Sequence, residues 1–553
     1  NIKIKDFIKR YFKETQFSLF TRPYSSSYLY GKYENGVQVG GRIEYVKLFS
    51  IVAIFILLIA CINFMNLSTA KASRRLKEVG IKKAVGSSRK ELIFQFLSEA
   101  VFMTFLSLVA AIIIVVLFLP VFNQITSKQL TISADPKVIA VILGVTLLTG
   151  ILAGSYPAFY LSGFNPVAVL KGKIKNSVGE LWARKGLVVF QFMISLLLIV
   201  SVMVIYRQME YVQSKNLGYD KANVVQFDIE GIVAQQTGAF LAELKKLPGI
   251  VNASGISQSV VQSSIKISTY GIEWPGKNDK DVIDFVWRNV DYDMIETLGI
   301  QMKEGRSFSR SFGADSTRLL FNETAIRVMG LKNAIGTKVK MWGQDMEIAG
   351  VVKDFHISSL HEMIAPMVFR YDPSGTTLIL AKMEAGKEKE TLSRLETFYK
   401  KYNPGYPFNY TFLDKSYQAQ YVSEQRVSVI SRYFAGLAIL ISCLGLFGLA
   451  AFNAEVKTKE IGIRKILGAS PRDLMFLLSK DFFKLIIISV AIAFPLSWWS
   501  MKTWLNGFAY KINIGLNVFL IAFGAIVLLT LVTVSFQAIK AAIANPVKSL
   551  RTE

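Results

Sequence analysis

Thiol and imidazole groups are almost absent from this chain: its 553 residues hold two cysteines and two histidines. Cys61 and Cys443 each sit inside an apolar run, so neither a disulfide nor a metal site is expected from them. His356 and His361 share the stretch DFHISSLHEMIAP, which lacks the second histidine of a His-Glu-x-x-His zinc motif. No Gly-x-x-x-x-Gly-Lys-Ser/Thr loop occurs, which excludes that mode of ATP binding. Neither a Gly-x-Ser-x-Gly elbow nor a catalytic dyad is found, so no catalytic, cofactor-binding or metal residue is assigned.

Acidic residues are also in short supply, 40 against 64 basic ones, for a net charge of +24. The chain is 52% hydrophobic with a mean hydropathy of +0.37, too apolar for a soluble protein of this size. The basic surplus is therefore read as the positive-inside bias of a membrane protein. Nucleic acid is not an expected partner, because no aromatic-interleaved basic patch or zinc-finger spacing supports it. Charges are scarce inside the apolar runs, where an ion- or proton-coupled carrier would keep its relay acids.

What is present is a duplication. Lys77–Ala100, KEVGIKKAVGSSRKELIFQFLSEA, returns at Lys459–Phe482 as KEIGIRKILGASPRDLMFLLSKDF, with nine of 24 positions identical at a constant offset of 382. Each copy reads as a short basic helix ending at a glycine, Gly86 or Gly468, where a helix C-terminus tolerates positive φ. Ser88-x-x-Glu91 and Ser470-x-x-Asp473 then supply the capping box of a new, apolar helix, and Pro471 occupies its favoured first position. Cys61 and Cys443 stand at the same offset, and so do Glu99 and Asp481, which are expected to have capping or interfacial roles. Gly150-x-x-x-Gly154 is read as a packing feature, a weak signal because its second-copy counterparts are larger.

Seven spans are expected, at about 46–70, 98–122, 137–161, 186–206, 427–452, 482–504 and 517–540. The loop 71–90 carries eight basic residues against one acid, and 162–185 is basic too, whereas 123–136 holds one lysine and one aspartate. That alternation places 71–90, 162–185, 453–472 and the tail 541–553 in the cytoplasm. The polar block 207–426 falls outside and is long enough for its own core. Within it, strand-like runs at Val224–Ile229, Lys266–Ile272, Val282–Val290, Thr317–Phe321, Met346–Val352 and Thr377–Met383 alternate with helix-like ones at Val233–Lys246, Asn322–Met329 and Lys387–Tyr402. An α+β domain is expected, followed by a helical lead-in at Lys415–Arg426. Residues 1–45 read as the end of a first external domain. If so, the duplication predicts a missing N-terminal portion of roughly 200 residues that includes one span.

The paired Glu-(Val/Ile)-Gly-Ile-(Lys/Arg)-Lys-x-x-Gly-(Ser/Ala)-Ser elements, each between two spans, resemble the signature of the MacB/FtsX-like ABC-transporter permease family. Asn289-Val-Asp-Tyr-Asp293, Thr297-Leu-Gly-Ile with Gly305-Arg306-x-Phe308, Asn322-Glu323 and Gly350-Val-Val-Lys-Asp-Phe-His356 are similar to that family's periplasmic domain. The likeness is to double-length members, with permease units at 46–161 and 427–540. It implies an α-helical integral membrane protein of the cell inner membrane with its large domain on the periplasmic side. It also implies an ABC ATP-binding subunit in two copies as partner, with ATP and magnesium on that subunit and none in this chain, so that the chain itself is no enzyme. Membrane lipid is a further partner, and so is a periplasmic adaptor or outer-membrane protein. By resemblance the coupling residues are Lys77, Glu78, Gly80, Lys82, Lys83 and Gly86 in the first copy. In the second they are Lys459, Glu460, Gly462, Arg464, Lys465 and Gly468. Residues 82, 83, 464 and 465 are expected to pair with acids on the ATPase. The implied work is export or extraction of a peptide, lipoprotein or amphipathic drug. The alternative is a regulatory scaffold that activates a cell-wall hydrolase or senses a peptide.

Overall fold

A computed structural model describes residues 7, 19–34, 37–132, 134–163, 178–261, 267–278, 282–313, 315–357, 359–456 and 458–543. Most of the expected linker (164–177) and tail (544–553) lie outside these residues. The chain divides into two compact units, one of Asn1–Tyr206, Arg426–Lys502 and Ile514–Glu553, the other of Arg207–Gln425 and Thr503–Asn513.

The first unit opens with an antiparallel hairpin, β1 (Lys32–Glu34) and β2 (Val37–Gly40). Its long helices are α1 (Ile43–Ala84), α2 (Arg89–Thr126), α3 (Pro136–Ser162) and α4 (Val178–Ser214), the last running on into the second unit. Seven helices of the described chain are long and apolar enough to cross a membrane, in agreement with the hydropathy pattern. The Gly150/Gly154 pair proves to be a true close approach, because a Cβ at Gly150 would lie 2.7 Å from Thr104 Oγ1 and one at Gly154 2.5 Å from the Ala100 Cβ. That contact seats α3 against α2 through small residues, as close packing between membrane helices requires.

Among the described residues the second unit is built on a twelve-stranded mixed sheet. Its strands are β3 (Val224–Asp228), β4 (Ile250–Ile256), β5 (Ser268–Thr269), β6 (Ile272–Glu273), β7 (Phe285–Val290) and β8 (Met302–Gly305), then β9 (Arg318–Asn322), β10 (Lys338–Met341), β11 (Gln344–Val352), β12 (Met367–Tyr371), β13 (Leu378–Met383) and β14 (Tyr410–Phe412). The main path runs β14-β3-β13-β4-β7-β12-β9-β11-β10-β6, with β5 on β7 and β8 on β11. β7/β12 and β9/β11 are parallel, and these inner strands are buried almost throughout, which is why they read as apolar runs rather than as alternating ones.

Helices cover the sheet in separate patches. The helix Glu388–Tyr402 sets Leu395 and Tyr399 against Phe227, Phe240 and Ile379, while Glu323–Met329 sets Ala325 and Met329 against Phe285, Phe321 and Ile348. The helix expected over 233–246 is two, Gly231–Gln235 and Thr237–Leu244, because Gln236 leaves the helical region at φ −134°, ψ 39°. The expected lead-in is likewise split into Leu413–Ala419 and a new helix from Val422.

Residues 503–513, which join the last two long helices, belong to this second unit. The buried Gln208 holds them at both ends of its amide, donating to Tyr510 O (2.9 Å) and accepting from Ile512 N (3.0 Å). Tyr510 N donates to Leu360 O (3.2 Å), His361 Nδ1 lies 2.8 Å from Gly507 O, and the His361 ring stacks on Phe508 at 3.9 Å.

Candidate coupling site

Both copies of the duplicated stretch form the same turn. Gly86 and Gly468 take φ +107° and +89°, with open space where a Cβ would stand, so the need for glycine there is conformational rather than steric. Ser87 N donates to Lys82 O (2.9 Å) and Ala469 N to Arg464 O (2.9 Å), closing the preceding helices in the same way. Ser88 accepts from Glu91 N (3.3 Å) while Glu91 Oε2 accepts from Ser88 N (3.0 Å), and Ser470 with Asp473 repeats both bonds at 3.3 and 3.0 Å. The turn is thus closed and capped on both sides within four residues.

The copies differ in what leads into the turn. The first has no separate short helix, because α1 runs unbroken for 42 residues from Ile43 to Ala84. In the second, a helix of nine residues, Thr458–Ile466, follows the long helix Val422–Val456. A bidentate pair then fastens α1 to α2, Arg75 Nη1 and Nη2 lying 2.8 and 2.9 Å from the two oxygens of Glu99.

Three of the basic residues assigned to coupling, Lys82, Lys83 and Arg464, are already engaged within the chain. Lys82 pairs with Glu78 at 2.8 Å and Arg464 with Glu460 at 2.9 Å, one i,i+4 bridge in two copies. Lys83 Nζ donates to Ser162 O at 2.7 Å. Lys77, Lys459 and Lys465 lie on the same helices, as do Gly80 and Gly462, but the side chains of these three lysines are outside the described ones.

Sequence reasoning missed the apolar side chains between these charges. Val85 is 84% exposed and its counterpart Leu467 79%; Phe94 is 75% and Phe476 68%. Ile81 and Ile463 are exposed as well, whereas Val79 and Ile461 are buried in both copies. The signal was available, since Ile81 and Phe94 are among the nine positions identical between the copies. Each turn therefore presents an apolar tip with basic residues around it, Lys82, Arg89 and Lys90 in one copy and Arg464 in the other.

The motifs in the external unit serve its architecture. Asn322 caps its helix through Ala325 N (3.0 Å) and also accepts from Met367 N (2.9 Å). Asp354 accepts from Thr324 N and Oγ1, both at 2.8 Å, while its own N–H donates to Glu323 Oε2 (3.0 Å). Lys303, together with that amide, holds the Glu323 carboxyl below its ordinary value. Gly305, at φ +70°, passes so close to Ala349 O that a Cβ would come within 2.3 Å of it. Among the described residues no group of His, Cys, Asp and Glu could hold a metal ion.

His356 is buried edge-on against Tyr510, and burial, helped by nearby Lys215, pushes its imidazole down to about 4. The unfolded chain would take up its proton near pH 6.5, so the unfolded state binds more protons between about 6.5 and 4. Stability of the external unit is therefore expected to fall as pH drops through that window. His356→Gln should flatten the dependence of the melting midpoint on pH there; an unchanged slope would assign it to other groups.

Comparison with known proteins gives matches to parts of the chain. The family profile described as FtsX-like permease C-terminal matches residues 50–166 and 432–546. The macrolide export ATP-binding/permease protein MacB of Bdellovibrio bacteriovorus is 28% identical over 120 residues, 22% of this chain and 18% of that protein. MacB of Campylobacter jejuni strain 81-176 is 30% identical over 125 residues, again 22% and 18%. The chain thus spans about a fifth of the length of the curated relatives it matches. Among solved structures, the periplasmic region of MacB from Actinobacillus actinomycetemcomitans is similar with a TM-score of 0.28 at 14% identity, covering 37% of this chain and 96% of that one. The extracellular domain of the noncanonic ABC-type transporter YknZ from Gram-positive bacteria gives 0.25 at 12%, covering 34% and 97%.

Proposed function

From a chain that carries two FtsX-like permease modules, one on either side of a mixed-sheet external domain, we propose that it is the membrane subunit of an ABC transporter. ATP is hydrolysed on a separate ATP-binding subunit, two copies of which dock on the two hairpin turns from the cytoplasm. The observation that carries this reading is the pair of apolar tips: Val85 with Phe94, and Leu467 with Phe476, stand exposed at repeat-equivalent positions with basic residues beside them. Such a surface suits an apolar cleft with an acidic rim. The bases attract the rim, while affinity comes from burying the tips.

A push on the first tip travels into the membrane along α1, which has no joint between turn and span. The external domain, in the periplasm of an inner-membrane protein, turns that motion into export or extraction of a peptide, lipoprotein or amphipathic drug. Affinity purification of the tagged chain from its own membranes in a mild detergent is expected to recover an ATP-binding subunit at two per chain, with ATPase activity. Recovery of the intact chain without one would overturn the proposal.

A further inference from the structure

The two modules meet along α1 and the helix Val422–Val456, and there the duplicated sequence comes face to face with itself. Asn63 and Gly445 are repeat equivalents and touch: a Cβ at Gly445 would lie 1.9 Å from Asn63 Oδ1. Asn63 Nδ2 donates across the seam to Ile441 O at 2.5 Å. One turn on, the equivalents are Asn66 and Gly448, and a Cβ at Gly448 would come within 2.0 Å of Leu67 Cδ2. Contact between equivalent positions is what an isologous two-fold interface produces. In this seam, however, one side has become an amide and the other a glycine, twice over.

These substitutions carry a cost. Asn63 and Asn66 are both buried, and Asn63 Oδ1 and Asn66 Nδ2 have no hydrogen-bond partner. Half-satisfied amides between apolar helices lower stability, and a buried asparagine in a helix seam is known to fix pairing and register at that expense. Pairing a first module with another first module would drive Asn63 into Asn63 where only a glycine fits. Two second modules would face glycine to glycine, with a gap and no amide to reach Ile441 O.

We propose that Asn63 and Gly445 form a key and its slot that make the two modules non-interchangeable. The seam closes only between a first module and a second one, and neither module pairs with its own kind through it. Asn63 is the residue that determines this specificity.

The test is a set of full-length variants in detergent, read by the thermal midpoint. Gly445→Ala and Gly445→Asn are each expected to lower it by about 5 °C or more, or to abolish recovery of folded protein. In the Asn63→Gly background, Gly445→Ala should cost almost nothing, and the swap Asn63→Gly with Gly445→Asn should return to within about 2 °C of the parent. Gly436→Ala, on the same helix in open space, serves as the control and should leave the midpoint in place. If Gly445→Ala costs the same in both backgrounds, or if the swapped protein is no better than Gly445→Asn alone, there is no key.

Discussion

On the proposed docking of an ATP-binding subunit at the two turns, serine at both Val85 and Leu467 is expected to uncouple the chain from that subunit while leaving the fold intact. Each side chain is largely exposed in the free chain, so the change removes little internal packing. In the complex each would be buried, and losing an aliphatic side chain from a buried contact costs about 1.5–3 kcal/mol. At 1.4 kcal/mol per decade, affinity at the altered turn should drop at least about 10-fold for each single variant, and overall by about 100-fold for the pair when an ATPase dimer engages both turns. Serine adds no charge beside the helix C-terminus, so the loss reports on the contact rather than on the dipole. The contrasting pair is Lys82→Gln with Arg464→Gln, which removes cations already bridged to Glu78 and Glu460 on their own helices. Exposed pairs of this kind contribute roughly 0–1 kcal/mol, and this variant should change affinity by no more than about 3-fold. Surface plasmon resonance against the purified ATPase separates the two. Equal losses in both would return the contact to the charges, and no loss in either would leave the turns as topological loops.

Asp315→Ala is expected to be the most damaging single change in the external unit. Its carboxylate is fully buried and receives Arg306 Nη2 at 2.7 Å, Arg306 Nη1 at 3.3 Å and Ser309 N at 2.7 Å. Arg306 also lies 3.9 Å above the Phe312 ring, so its guanidinium cannot swing out to water without giving up that face. Removing one partner of a buried pair costs about 3–5 kcal/mol, and the partial exposure of Arg306 puts this case near 3. Asp315→Asn keeps an acceptor for Ser309 N and should lose roughly half as much. Hydrogen exchange over residues 302–322 measures both, and protection as in the parent would show that Arg306 finds other partners.

Short-range features were legible from the chain. The capping boxes, the positive φ of Gly86 and Gly468 and the seven apolar runs depend on residues within a few positions of each other or on simple composition, and they appear where the pattern puts them. The strands at Val224, Phe285, Arg318, Gln344 and Leu378 announced themselves through β-branched and aromatic runs. β4 did not, because its Asn-Ala-Ser-Gly core has little strand propensity and is held by its neighbours β13 and β7. The long-range partnerships were the least visible. Nothing local tells that Lys83 is spoken for by Ser162 O, that Gly150 and Gly154 admit α2, or that Gln208 waits for Tyr510. The apolar tips were overlooked for another reason: charge in a basic loop draws the eye to electrostatics, and exposure of a valine cannot be read from its letter.

The clasp at Gln208 also orders events in time. A ribosome delivers residues 207–425 long before it reaches 503–513, and domains generally close as they emerge. This one cannot finish: until residues 510–512 have been made, the Gln208 amide lacks both of its partners, and Leu360 O has no Tyr510 N–H to accept. Completion of this unit is thereby tied to synthesis of the link between the last two long helices, and a nascent chain stalled before residue 503 would hold a nearly folded domain with the Gln208 amide still waiting for its partners.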